Sequence, residues 1–137
     1  MSRWTCPHCD REFGRRGQSH LCVPGGTVEE TFAAHPEQLP AYEAVTAFLD
    51  SLGPYHADAV GVGVFLKTSR TVAEVRPMSR WLSLQLVLRR RVDHPRVSRV
   101  LQASAGRTVN VVRLYGPEDV DDQVCEWLAE AYDTADL

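Results

Sequence analysis

The chain has 137 residues, 44% of them apolar and 24% charged, with a net charge of -3. That is the size and make-up of one compact domain with a small appendage, and no apolar run approaches the roughly 20 residues that span a bilayer. The start, Met1-Ser2-Arg3-Trp4, reaches Cys6 with no apolar leader stretch or small-residue cleavage site, so a cytoplasmic location is expected and a membrane partner is not.

The first feature in chain order is the set Cys6, Cys9, His20 and Cys22, a Cys-x-x-Cys pair followed after ten residues by His-x-Cys. These are four soft or borderline donors at metal-site spacing, and they predict a small zinc knuckle over residues 1–25 with Zn2+ as its cofactor. Trp4, Phe13, Leu21 and Val23 are too little apolar surface to order such a segment without a metal. A disulfide framework would be spaced otherwise, since the fourth cysteine, Cys125, lies about a hundred residues away. A redox Cys-x-x-Cys normally opens a helix in a strand-rich context, which Pro7-His8 followed by Asp10 to Arg16 does not resemble. His20 is preferred as the fourth ligand because it returns with Cys22. His8, inside the spacer, and His35, before Pro36, are the reserves.

Residues 26–37 read as a linker in which Thr27-Val28-Glu29-Glu30 has the form of a capping box and opens a short helical turn that Pro36 ends. The remaining residues, 38–137, form the main domain. From Pro40, Ala41, Val45, Phe48, Leu49 and Leu52 recur at helical spacing until Gly53-Pro54. Four runs with strand character follow: Val60 to Leu66, Thr71 to Arg76, Trp81 to Leu88 and Thr108 to Tyr115. Asp93-His94-Pro95 breaks the third run, and the stretch to Gly106 reads as a short helix or a loop. Gly116-Pro117 then starts a second helix, rich in acids at its front, with Val120, Val124, Trp127, Leu128 and Ala131 as its buried stripe. The expected fold class is α+β: a zinc knuckle, then a mainly antiparallel four-stranded sheet with helices on one face, packed on Val60, Val62, Val64, Leu66 and the even positions Leu82 to Leu88.

Charge is segregated along these elements. Residues 23–58 hold six acids and no Lys or Arg, residues 59–114 hold Lys67 and ten arginines against Glu74 and Asp93, and residues 115–137 hold eight acids and no base. The basic block coincides with the strands. Their outer face would present Gly61, Gly63, Phe65 and Lys67 from one run and Trp81, Ser83, Gln85, Val87 and Arg89 from another, with Glu74 and Arg76 between. Aromatic rings among bases can stack nucleobases and hold phosphates, with the glycines permitting close approach. A solvated sheet face wetted by arginines gives the same pattern. The triplet Arg89-Arg90-Arg91 and the pair Arg15-Arg16 add two basic patches suited to clamping a polyanion.

Enzyme signatures are weak. The chain has no His-Glu-x-x-His motif and no phosphate-cradling glycine loop, and Gly61-Val62-Gly63 lacks a third glycine. Cys125 reads as a packing residue of the last helix. Asp119, Asp121 and Asp122 are accounted for by its dipole. A four-ligand zinc leaves no open coordination position for catalysis.

The run Val75-Arg76-Pro77-Met78-Ser79-Arg80-Trp81-Leu82, the turn His94-Pro95-Arg96-Val97 and the ending Gly116-Pro117-Glu118-Asp119-Val120-Asp121 through Trp127-Leu128-Ala129-Glu130-Ala131-Tyr132 together resemble the bacterial domain of unknown function 5655, over about residues 38 to 135. Lys67-Thr68-Ser69-Arg70 is similar to a Lys-Thr and basic turn of that family. Some of its members similarly carry a Trp-x-Cys-x-x-Cys segment ending in Gln-Ser-His-x-Cys, and this resemblance implies His20 rather than His8 as the ligand. The family name implies no activity. Its occurrence beside nuclease-like or DNA-associated modules implies a nucleic-acid role by analogy.

The sequence reading is therefore a zinc-bearing, non-catalytic nucleic-acid-binding module. Its binding residues would be Lys67, Arg70, Arg76, Arg80, Arg89, Arg90 and Arg91, with Trp81 or Phe65 stacking. The alternative is a protein-interaction or self-assembly module in which the basic sheet meets an acidic helix of a partner or a second copy.

Overall fold

In a computed structural model of the chain, residues 3–7, 12–18 and 26–136 are described. Near the start, β1 (Trp4–Thr5) and β2 (Glu12–Phe13) pair antiparallel, with Trp4 opposite Phe13. The helix α1 (Val28–Thr31) opens as its sequence requires, the Thr27 hydroxyl accepting the Glu30 N–H at 3.1 Å. Pro36 then starts a 3-10 turn that leads into α2 (Leu39–Leu52), whose Ala41, Tyr42, Val45 and Leu49 are buried. That helix stops at Gly53, whose φ of +149° disfavours any side chain.

The sheet has six strands rather than the four expected. They are β3 (His56–Ala59), β4 (Val64–Lys67), β5 (Thr71–Pro77), β6 (Leu82–Leu88), β7 (Val97–Ser104) and β8 (Arg107–Leu114). The spatial order is β3-β4-β5-β6-β8-β7, every neighbouring pair antiparallel. The added strands are the two edges. β3 is built on Ala57, Asp58 and Ala59, residue types with low strand preference. β7 occupies the stretch read as a helix or loop. As an edge strand it is mostly exposed and carries no apolar alternation.

The first predicted run also shifts. Gly61, at φ +86°, and Gly63 form the turn between β3 and β4, closed by the Val60 N–H donating to the Gly63 carbonyl at 2.9 Å. A Cβ at Gly63 would lie 2.7 Å from the Val75 carbonyl, so this glycine admits the chain's own neighbouring strand rather than a ligand. Val62 is consequently 64% exposed instead of facing inward.

The inward face of the sheet carries Val64, Leu66, Ala73, Val75, Leu82, Leu84, Leu86, Leu88, Val112 and Leu114, all at most 1% exposed. Phe32, the buried face of α2, and Val124, Trp127, Leu128 and Ala131 of α3 (Asp122–Thr134) join them in one core cluster. The α3 helix begins later than Gly116-Pro117 suggests, since Pro117–Asp119 is a 3-10 turn. Asn110, at 0% exposed, is a polar residue set within this core. Its Oδ1 accepts the Val92 N–H at 2.8 Å and its Nδ2 donates to the Arg90 carbonyl at 3.0 Å, which fixes the loop that leaves β6.

Two of the segments that resemble the family, His94 to Val97 and Gly116 to Asp121, meet at the front of α3. Asp121 caps the helix by accepting the Val124 N–H at 3.1 Å. Arg96 donates from Nη1 to both Asp121 oxygens at 2.8 Å and from Nη2 to the Asp119 carbonyl at 2.8 Å, while the His94 ring meets Trp127 edge-on at 5.1 Å. The Val124 N–H does most to hold the Asp121 carboxyl below its ordinary value; burial opposes it, and the Arg96 hydrogen bond and charge add to the lowering. A carboxyl depressed in the folded state contributes stability that is complete above the usual carboxylate pKa, about 4, and is lost as pH falls through the lower folded value. Asp121→Asn keeps a capping side chain but removes the charge. Urea midpoints should therefore fall less between pH 7 and pH 3 for this variant than for the parent chain. An equal fall in both would contradict the assignment.

Candidate nucleic-acid interface

The outer face of the sheet lies opposite the helices. Strand alternation puts Phe65 and Lys67 of β4, Glu74 and Arg76 of β5, Ser83, Gln85 and Val87 of β6, and Val109, Val111 and Arg113 of β8 on it. The β1–β2 hairpin packs against one side of this face. Arg3 donates to the Thr68 carbonyl, Glu12 lies 3.6 Å from His56 Nδ1, and the Lys67 ammonium sits 4.8 Å from the centre of the Phe13 ring. Between the hairpin and β7 runs an open groove of about 1200 Å³. Its floor is Phe65, Glu74, Gln85, Val87 and Val109. One wall is Gly14, Arg15, Arg16 and Gln18, and the other is Ala103 and Ser104. Arg70 and Arg107 stand at its end.

These arginines converge because the strand ends do. The β4–β5 turn, the exit of β6 and the β7–β8 turn all fall at the same end of the sheet, which brings Arg70, Arg89 and Arg107 together. Arg107 is held by Nη2 donating to the Thr71 carbonyl at 2.8 Å and Nη1 to the Ala135 carbonyl at 3.2 Å. Burial, and then the charges of Arg70 and Arg89, push its guanidinium below its ordinary value. Like charges placed where they disfavour one another are a feature of anion sites. Sequence reasoning missed Arg107, which opens a strand and belongs to no run of bases; the Ala105-Gly106 turn before it was the available signal.

The predicted basic set does not form one patch. Arg70, Arg89 and Arg91 are exposed at this end of the sheet. Arg80, Arg76 and Trp81 lie at the other, roughly 20 Å away along a seven-residue strand. There Trp81 contacts Tyr115, with ring centres 6.2 Å apart, and the Arg113 guanidinium lies 4.1 Å from the Trp81 ring centre. Three predicted bases are engaged internally. Lys67 is buried against Asp58 at 3.0 Å, Arg76 Nε donates to Glu74 at 2.6 Å, and Arg90 forms a two-point pair with Glu130 at 2.9 and 2.8 Å. Burial, then the charges of Asp122 and Asp121, raise the Cys125 thiol pKa, the opposite of what activates a nucleophile.

Of the predicted zinc ligands, Cys6 is described, and Cys9, His20 and Cys22 lie outside the described residues, as does His8. Cys6 is 1% exposed and packs with Phe13 and Trp4 where β1 ends. His35, the second reserve, pairs with Glu37 at 3.3 Å.

Among the described residues, no helix is long and apolar enough to cross a membrane. No curated protein and no solved structure matches the chain. Residues 28–135 match the model of the family described as Domain of unknown function (DUF5655), a span that takes in α1, the six-stranded sheet and α3, and the chain belongs to that family.

Proposed function

We propose that this protein is a zinc-bearing, non-catalytic module that binds nucleic acid in the groove on the outer face of its sheet. The observation that carries the reading is the placement of Arg15, Arg16, Arg70 and Arg107 around a floor that holds the Phe65 ring. Cationic side chains at a rim neutralise phosphates, and an aromatic ring between them offers a stacking surface. The zinc would be held by Cys6, Cys9, His20 and Cys22, and its part is to keep the wall bearing Arg15 and Arg16 in place. A self-assembly reading draws on Asp122, Glu126 and Asp133, exposed on α3 in the layer opposite the basic groove.

Fluorescence anisotropy with short DNA and RNA, single-stranded and duplex, separates the two. Binding at about 50 mM salt should weaken steeply toward 200 mM, and Arg15→Glu with Arg16→Glu should reduce the salt slope by about two and the affinity by tenfold or more. No binding by any oligonucleotide at low salt, with a salt-sensitive dimer in light scattering, would replace this reading with self-assembly.

A further inference from the structure

We infer that Arg70, Arg89 and Arg107 form a phosphate-binding subsite at the mouth of the groove, and that it seats a backbone phosphate of a single strand whose bases lie inward toward Phe65. The inference rests on the nucleic-acid reading above and adds the polarity of the bound strand and its single-stranded character.

The charge layout sets that polarity. The rim is cationic, but the floor holds the carboxylate of Glu74, 8% exposed and fixed by Arg76, together with the amide of Gln85. With the Glu74 charge paired to Arg76, the lining of the floor offers a phosphate no net attraction, whereas the cationic rim does. A base is favoured on the floor, where its exocyclic amino group can donate to Glu74 or Gln85 and its face can cover Phe65, Val87 and Val109. The groove volume exceeds the usual 300–1,000 Å³ or so of a pocket for one small molecule, which suits several linked units. In a duplex the base faces are already stacked and the Watson–Crick edges already paired, so a recessed ring and carboxylate would find no partner.

The mouth is built for an anion. Arg107 is pinned by two backbone carbonyls, so its guanidinium is placed before a ligand arrives. Gly106, at φ +74°, leaves room for Arg89, whose Nη2 lies 3.4 Å from where a Cβ there would be. Arg70 projects from the β4–β5 turn beside them. One phosphate placed beside them would offset the charges of Arg70 and Arg89 that act on Arg107.

The test is anisotropy with a labelled single-stranded octanucleotide and with the same sequence as duplex, joined to thermal melts in inorganic pyrophosphate. The variants are Arg70→Gln, Arg107→Gln and, at the far end of the sheet, Arg113→Gln. The single strand should bind about tenfold or more tightly than the duplex. Arg70→Gln and Arg107→Gln should each cost about tenfold and lower the salt slope by about one, with Arg113→Gln within about twofold. Arg70 is exposed, so its variant serves if loss of the two Arg107 carbonyl bonds impairs folding. Equal binding of duplex and single strand, or oligonucleotide binding untouched by Arg70→Gln, would overturn the subsite while leaving the nucleic-acid reading intact. If no oligonucleotide binds, that reading falls by itself. A pyrophosphate-induced rise in melting temperature that Arg70→Gln abolishes would then still support the phosphate subsite, and no rise would overturn it as well.

Discussion

Asp58→Ala is expected to cost about 3–5 kcal/mol of folding stability, a large part of the roughly 5–15 kcal/mol that a domain commonly has. Asp58 lies on the edge strand β3 and Lys67 on its neighbour β4, with side chains 6% and 10% exposed, and Oδ2 and Nζ are 3.0 Å apart. Removing the carboxylate leaves the ammonium between the Phe13 and Phe65 rings, 4.8 and 5.6 Å from their centres, and those rings offset only part of the desolvation. The loss arises from an uncompensated buried charge rather than from the net worth of the pair. The double variant Asp58→Leu with Lys67→Met should therefore recover most of it. Urea denaturation followed by circular dichroism measures both. A single variant within about 1 kcal/mol of the parent would mean that the lysine reaches solvent at little cost. Lys67 is therefore a structural residue: it fastens the β1–β2 hairpin to the sheet, so its substitution would weaken ligand binding by loosening a groove wall.

Much of the main domain could be read from the chain because its core obeys simple periodicities. Leu82, Leu84, Leu86 and Leu88 alternate and are all buried, and Ala41, Val45 and Leu49 recur at helical spacing and face them. What stayed hidden lacks such a pattern. His56 to Ala59 is too short and too rich in alanine to announce a strand, and Val97 to Ser104 is an exposed edge whose side chains answer to solvent rather than to a core. The functional face was legible in part for a related reason. Alternation correctly set Phe65, Gln85 and Val87 opposite the core, yet composition cannot say which bases pair within the fold. Arg90 meets Glu130 across 40 positions of sequence, and Arg107 reaches Arg70 only because three strand ends coincide. Local sequence holds neither fact. By contrast, the distant segments His94-Pro95-Arg96 and Val120-Asp121 prove to be one contact, Arg96 clamping the front of α3, which gives the family resemblance a physical basis.

Removing the proposed zinc should have the largest effect of all on the amino-terminal segment and little on the rest. The β1–β2 hairpin has two residues per strand, and among the described residues its buried cluster consists of Cys6 and Phe13 with Trp4 against them. A ladder that short is not stable in water by itself. A structural zinc site supplies folding free energy of about 10–16 kcal/mol in isolated finger peptides, far more than this cluster can. On the zinc reading proposed above, the contacts of Arg3 with Thr68, Glu12 with His56 and Phe13 with Lys67 would depend on a hairpin held by the metal. A strong chelator at neutral pH, or Cys6→Ser, should release one equivalent of zinc and expose Arg15 and Arg16 to trypsin. The cooperative melt of residues 28–135, with its own core, should persist. Oligonucleotide affinity should fall at least as far as in Arg15→Glu with Arg16→Glu, because the whole wall is lost rather than its charge, and added zinc should restore it. A preparation holding no stoichiometric zinc under reducing conditions, or one whose trypsin sensitivity ignores the chelator, would show that the hairpin is held by its docking on the sheet alone. The metal would then drop out of the account, while the arginine groove would remain to be tested on its own.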